Sequence, residues 1–297
     1  MTGNYSGPEV DNHRFVERVG ELCGSDVTDL RPVSGGDFAT AFRATLTDGR
    51  SVFAKTHRRP PPGFFSTEAA GLSWLAEPAA TKVATVVGVT DEFPACLVLD
   101  WIEVGGQPTE ISEAAFGRQL AQLHRAGAPS FGRQDSRTTG SQALPNDPCP
   151  TWEEFYADRR LRPLAEIAAT RNSLPTASID RLIAVADRLS TYGAVDEPAA
   201  RLHGDLWAGN RVIDVHGDSW LIDPAAHGGH REFDLAMMQL FGGFSAECFD
   251  AYNDVYPLGF GWQARVPLHQ LAPLTVHAIK FGGSYRAAVA SALASLD

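Results

Sequence analysis

Asp205, Asn210 and Asp223 are the residues of this chain whose types and spacing could do chemistry together. They lie in Arg201-Leu-His-Gly-Asp-Leu-Trp-Ala-Gly-Asn210, which runs on through Arg211-Val-Ile-Asp-Val-His-Gly-Asp-Ser-Trp-Leu-Ile-Asp223. Asn210 follows Asp205 by five positions, and Asp223 follows Asn210 by thirteen. Val212-Ile213 and Trp220-Leu221-Ile222, separated by a turn around His216-Gly217-Asp218, predict a hairpin that returns Asp223 close to Asn210. A carboxylate at Asp205 could orient and deprotonate a hydroxyl. The Asn210 amide oxygen and the Asp223 carboxylate could hold hard magnesium ions against phosphate oxygens. That is the equipment of phosphoryl transfer. His203, two residues before Asp205, belongs to the same catalytic stretch and reads as a brace for its loop. Singly, Asp and Asn more often cap helices or close turns; the set, bracketed by apolar strand segments, carries the chemical reading.

Positioning such a set needs a sheet, a hinge and a helical support. A helix is predicted over 9–23, then Leu30-Arg31-Pro32-Val33 leads into the glycine turn Ser34-Gly35-Gly36-Asp37. Strands over 38–46 and 51–55 flank Asp48-Gly49 as a hairpin. The basic, proline-rich stretch 57–63 reads as a loop, and a helix carrying Glu68 follows over 65–75. Apolar strands are predicted over 83–89 and 95–99. Residues 110–126 have an amphipathic helical stripe through Ile111, Ala115, Leu120 and Leu123. The Gly-, Pro- and Ser-rich stretch 127–150 reads as a long loop of the kind that serves function. Helices over 151–168 and 176–191, the turns and strands of 200–224, and a helical remainder broken near 242–243 and 259–261 complete the pattern.

Composition bounds the setting. The 297 residues can bury a large core as one domain or two lobes. With Lys plus Arg at 25 and Asp plus Glu at 36, the formal charge is −11, which gives no general attraction to nucleic acid or an anionic membrane. Cys23, Cys96, Cys149 and Cys248 show no metal or redox spacing, and no stretch is apolar for long enough to span a bilayer. The N-terminus lacks the charged and apolar regions of a signal peptide. A reduced, cytoplasmic monomer is the expectation.

The stretch His203-Gly-Asp-Leu-Trp-Ala-Gly-Asn210, together with Leu221-Ile-Asp-Pro-Ala225, resembles the fructosamine (ketosamine) kinase family, within the aminoglycoside phosphotransferase and choline kinase-like group. Trp152 to Leu164, Arg231-Glu-Phe-Asp-Leu-Ala-Met237, Leu240-Phe-Gly-Gly-Phe244 and Phe281-Gly-Gly-Ser-Tyr285 extend the resemblance, which runs from about Leu22 to Tyr285. It implies an α+β, protein-kinase-like two-lobed fold. A small antiparallel-sheet lobe over 1–102 would bind nucleotide, and a larger, mainly helical lobe over 103–297 would carry catalysis and the acceptor site. ATP and Mg2+ are the implied cofactors. Lys55 would contact the ATP phosphates and pair with Glu68. Ser34, Gly35, Gly36 and Asp37 would cover the phosphates, and Leu99, Trp101 and Ile102 would form the hinge beside adenine. Asp234 would brace the catalytic loop.

The implied reaction is transfer of the ATP γ-phosphoryl group to O3 of a ketosamine, a ribulosamine or fructosamine that is free or carried on a protein lysine, in a deglycation or repair role. Asp205, Trp207, Phe241 and Trp262 would wall the acceptor site. His227 and His230 lie three apart beside two glycines; no third metal ligand is evident, and they read as loop packing or substrate-edge contacts. Where the familiar segment commonly has an acidic residue, this chain has His230. An aminoglycoside or choline-type kinase would use the same phosphate chemistry, and a noncatalytic nucleotide-binding protein is the alternative of another class. Retention of Lys55, Asp205, Asn210 and Asp223 speaks against the latter.

Overall fold

The computed structural model describes residues 12–33, 39–135, 142–193 and 196–296. The chain forms two compact units, one from Met1–Ala70 and Ala84–Glu103, the other from Gly71–Val83 and Val104–Asp297. The first elements in chain order are α1 (Asn12–Cys23), β1 (Val27–Val33), β2 (Thr40–Leu46), β3 (Ser51–Thr56), α2 (Phe64–Ala76), β4 (Lys82–Val83), β5 (Val86–Thr90) and β6 (Cys96–Asp100).

In the first unit, an antiparallel sheet runs in the order β1-β2-β3-β6-β5. Strand alternation turns Phe42, Ala44 and Leu46 of β2, Val52 and Ala54 of β3, and Cys96 and Val98 of β6 onto one core. Phe15, Val19 and Cys23 of α1, spaced by four residues, cover that core, with the Phe15 and Phe42 rings 5.3 Å apart. The β2–β3 turn closes where the Arg50 N–H donates to Asp48 Oδ1 at 2.9 Å. Residues 30–33, unassigned from sequence, belong to β1; Pro32 is tolerated because β1 is an edge strand, where its missing N–H breaks no ladder.

One strand is predicted over 83–89, but the chain forms two. β4 joins a sheet of the second unit, and β5 joins that of the first, because a strand cannot pair continuously with both.

The second unit holds α3 (Glu110–Arg125), α4 (Trp152–Tyr156), α5 (Arg162–Thr170), α6 (Thr176–Asp187), β7 (Ala200–Leu202), β8 (Arg211–Ile213), β9 (Ser219–Leu221), β10 (His227–Gly229), α7 (Glu232–Phe241), α8 (Ala246–Val255), α9 (Trp262–Phe281) and α10 (Ser284–Ala294). The helix predicted over 151–168 is interrupted by a π-helical turn at Ala157–Leu161, next to Pro163, which lacks the N–H that an unbroken helix would use. β4, β9 and β8 form one small sheet, and β10 pairs with β7. Among the described residues of 127–150, Phe131 bridges to Cys149 and Gly132 to Gly228.

The core gathers Tyr156, Leu161, Leu182, Leu202, Met237 and Leu271 from six segments. The predicted glycine breaks bound helices, α7 ending at Gly242 and α9 beginning after Gly261, and Gly282-Gly283 part α9 from α10. All four cysteines are free and buried. No described helix is long and apolar enough to cross a membrane.

Candidate active site

β7 delivers the chain into His203-Gly204-Asp205, and a 3-10 turn over Ala208–Asn210 leads into β8. The predicted hairpin is β8–β9, in the register Arg211–Leu221, Val212–Trp220 and Ile213–Ser219. It is closed at the site end by the Ile222 N–H donating to the Asn210 carbonyl at 3.1 Å. Asp223 therefore returns beside Asn210. The Asn210 Nδ2 donates to the Asp205 carbonyl at 2.8 Å and to Asp205 Oδ2 at 3.0 Å, and reaches the Asp223 carbonyl at 3.5 Å. With its nitrogen so committed, the Asn210 Oδ1 accepts no hydrogen bond from a described residue. Asp223 holds a φ of 51°, a strained left-handed conformation for a non-glycine residue, of the kind that concentrates at functional sites. Gly204 is required: its φ is 78°, and a Cβ there would lie 2.1 Å from the Ala225 carbonyl oxygen.

The loop is braced from beneath. The buried His203 donates from Nε2 to the Ile222 carbonyl at 2.9 Å and accepts the Asp205 N–H at Nδ1, 3.2 Å away. Both ring nitrogens are thus spent on backbone, and burial lowers the imidazole pKa, keeping it neutral. Asp234 of α7 accepts the N–H groups of His203 and Gly204 at 2.8 and 2.9 Å. His124 of α3 stands between Asp234, at 3.3 Å, and the Tyr252 hydroxyl, at 2.8 Å. Burial alone would raise the Asp234 pKa, but the hydrogen bonds from His124 and the Gly204 N–H hold it below the usual carboxylate value.

Asp205 behaves oppositely. Burial pushes its pKa up to about 7, the Asp223 and Asp234 charges add to the rise, and the Asn210 hydrogen bond and Lys280 oppose it. A carboxyl poised near neutrality suits proton transfer from a hydroxyl.

Within the first unit, Lys55 Nζ pairs with Glu68 Oε1 at 2.6 Å, both side chains being buried. Leu99 is buried in β6, and Trp101 and Ile102 follow it, half-buried. The Arg43 guanidinium lies 4.5 Å from the Trp101 ring centre, and the indole N–H donates to Glu103 at 3.0 Å. Ser34, Gly35, Gly36 and Asp37 lie outside the described residues.

Of the aromatic residues expected at the acceptor wall, Trp207 and Phe241 meet edge to face at 6.3 Å. Trp207 keeps 41% of its surface exposed. Trp262 opens α9 and makes no ring contact with either among the described residues. Phe241 instead packs on His277 at 4.9 Å, and His277 on Phe281 and Tyr285 at 5.6 and 5.0 Å. This extension of the cluster was signalled only by the Phe281-Gly-Gly-Ser-Tyr285 motif.

The histidines need a correction. His230 does have further potential ligands: Glu232 two residues on and His269 from α9, their donor atoms within 4.8 Å of one another. His227 takes no part; its Nδ1–H donates to the Ala225 carbonyl at 2.8 Å, and burial lowers its pKa to about 3. Arg265 occupies both Glu232 oxygens, at 2.9 and 2.5 Å, and His230 Nδ1 accepts the Glu232 N–H at 3.3 Å. Burial would raise the Glu232 pKa, but His269, with Nε2 at 3.3 Å from Oε2, and the Arg265 hydrogen bonds draw it down to about 2. The carboxylate charge is met by the guanidinium, so the trio is an ion-paired core feature.

A model of the fructosamine kinase family matches residues 15–296. A relative from Enterococcus faecium, named probable ketoamine kinase, is 35% identical over 256 residues, 86% of this chain and 90% of its own. The chloroplastic protein-ribulosamine 3-kinase of Arabidopsis thaliana is 30% identical, across 90% of this chain and 82% of its own. A crystal structure from Thermobifida fusca, inferred to be a fructosamine-3-kinase, has a TM-score of 0.88 at 38% identity, covering 95% and 97% of the two chains. At 14% identity, the choline kinase of Streptococcus pneumoniae has a TM-score of 0.61 over 96% of this chain and 98% of its own, a likeness of fold alone.

Proposed function

The chain belongs to the fructosamine kinase family and is an ATP-dependent phosphotransferase of protein-kinase-like fold, and from that premise we propose that it phosphorylates O3 of ketosamines, ribulosamines or fructosamines. The observation that carries this reading is the joining of Asp205, Asn210 and Asp223 by hydrogen bonds at the end of one hairpin.

Asp205 orients the acceptor hydroxyl and takes its proton as the oxygen attacks; His203 and Asp234 hold the loop that presents it. The donor set fits magnesium, because the Asn210 amide oxygen accepts no hydrogen bond from a described residue, Asp223 adds a carboxylate from the adjoining hairpin end, and hard oxygens are what that ion takes. Magnesium supplies charge neutralisation on the nucleotide phosphates when bound. Lys55, kept in place by Glu68, serves the α- and β-phosphates. The backbone from Leu99 through Trp101 to Ile102 receives adenine, and Ser34 to Asp37 cover the phosphates. Trp207 and Phe241 bind the acceptor, and Trp262 is the third aromatic assigned to it. Phosphorylation at O3 makes the adduct prone to eliminate and release its amine, which gives the reaction a deglycation role on free or protein-bound amines.

The test is magnesium-ATP turnover with a ribulosamine, a fructosamine, an aminoglycoside and choline in parallel, with products identified. Ketosamine-dependent transfer to O3 is expected, falling about 10²- to 10⁴-fold in Asp205→Asn, the usual size of a lost general base. Transfer only to the aminoglycoside or choline would retain the phosphate chemistry and retire the ketosamine reading.

A further inference from the structure

We propose that the buried Glu113–Arg211 ion pair is the positioning device of the acceptor side, fixing residues 242–245, and with them Phe241 and Trp207, on the catalytic loop. This rests on the reading of Trp207 and Phe241 as the acceptor wall.

Arg211 immediately follows Asn210 and opens β8, whereas Glu113 lies in the first turn of α3. Their side chains are 4% and 5% exposed, with Arg211 Nη1 at 2.6 Å from Glu113 Oε1. The guanidinium packs on the Phe116 and Phe244 rings at 5.0 and 4.5 Å. Each partner then holds one backbone group of the same short segment. Arg211 Nη2 donates to the Gly243 carbonyl at 3.1 Å, and Glu113 Oε2 accepts the Ser245 N–H at 3.0 Å.

The segment so gripped lies against the catalytic loop: a Cβ on Gly243 would meet the Ala208 Cβ at 2.3 Å. Phe241, two residues before Gly243, packs on Trp207, one residue before Ala208. The pair therefore sets the distance between the two aromatic rings and Asn210. A buried ion pair contributes little net stability compared with well-packed apolar residues of the same volume, so its value here is geometric. A merely structural pair would affect unfolding without singling out one substrate.

Glu113→Gln keeps an oxygen for Ser245 but removes the charge, and Arg211→Lys keeps the charge but loses the two-armed guanidinium whose separate nitrogens serve Glu113 and Gly243. The experiment is steady-state kinetics on both variants, with Trp207→Ala alongside and unfolding curves to confirm that each is folded. The expected result is an acceptor KM raised about tenfold in both variants, with the ATP KM within about twofold and the smaller change in kcat. An unchanged acceptor KM, or equal rises in both KM values, while Trp207→Ala raises the acceptor KM, would overturn the coupling alone. If Trp207→Ala leaves the acceptor KM unchanged, the wall reading falls and the proposal with it. Should Glu113→Gln not fold, Arg211→Lys carries the same outcomes.

Discussion

Asp205 has a pKa near 7 against an ordinary 3.8, chiefly because it is buried. A folded value above the unfolded one means that the folded state holds the proton more tightly. Stability therefore falls as pH rises from about 4 to about 7, and the full cost is present above that window. The carboxyl is surrounded by protein, yet the residue as a whole keeps some contact with solvent, so the cost is discounted to about 1–2 kcal/mol. Asp205→Asn removes the ionisation. Its Tm is expected to equal that of the parent near pH 4 and to exceed it by about 2–4 °C at pH 8, in a nucleotide-free sample followed by calorimetry. A Tm at or below the parent value at pH 8 would show that the carboxyl is not strained by ionising. Lys55 and Glu68 give a second residue-scale prediction, since removing one buried partner strands the other. Lys55→Met should cost about 3–5 kcal/mol in urea unfolding. Lys55→Met with Glu68→Leu should recover most of that stability while ATP turnover stays lost; recovery of turnover as well would make the pair structural only.

The motif Leu240-Phe-Gly-Gly-Phe244 gains its meaning from how elements meet. Gly243 has a φ of 87° and lies against Ala208, so Gly243→Ala both strains the backbone and pushes the segment off the catalytic loop. The variant is expected to lose about 10- to 100-fold in kcat/KM for the acceptor, and adding Ala208→Gly should restore part of it by clearing the contact. No restoration would place the fault in the backbone conformation alone. This contact also marks the limit of what sequence discloses. Asp205, Asn210 and Asp223 were legible because one local hairpin closes them, with turn and strand signals lying between. The Glu113–Arg211 pair joins positions 98 residues apart, and His269 meets Glu232 across 37, distances for which no periodicity speaks. The interval 83–89 misled for a related reason: its apolar residues satisfy strand propensity equally well in two sheets, and only tertiary pairing divides them into β4 and β5.

At the scale of the molecule, helix periodicity and glycine breaks outlined the helical remainder, because those signals are local; the composition speaks instead to encounter. A formal charge of −11 surrounds the protein with a negative potential that attracts cationic acceptors before any contact forms. A glycated, lysine-rich peptide should therefore be captured faster at low ionic strength, while a free, near-neutral ketosamine should not. With magnesium-ATP held saturating, raising salt from about 0.05 to about 0.5 M is expected to lower kcat/KM for the basic peptide about three- to tenfold. The value for the free ketosamine should stay within about twofold, because a neutral ligand feels no long-range field for salt to screen. Equal losses for both acceptors would place the salt effect inside the site, on the nucleotide or on Asp205, and remove steering from the account of substrate choice.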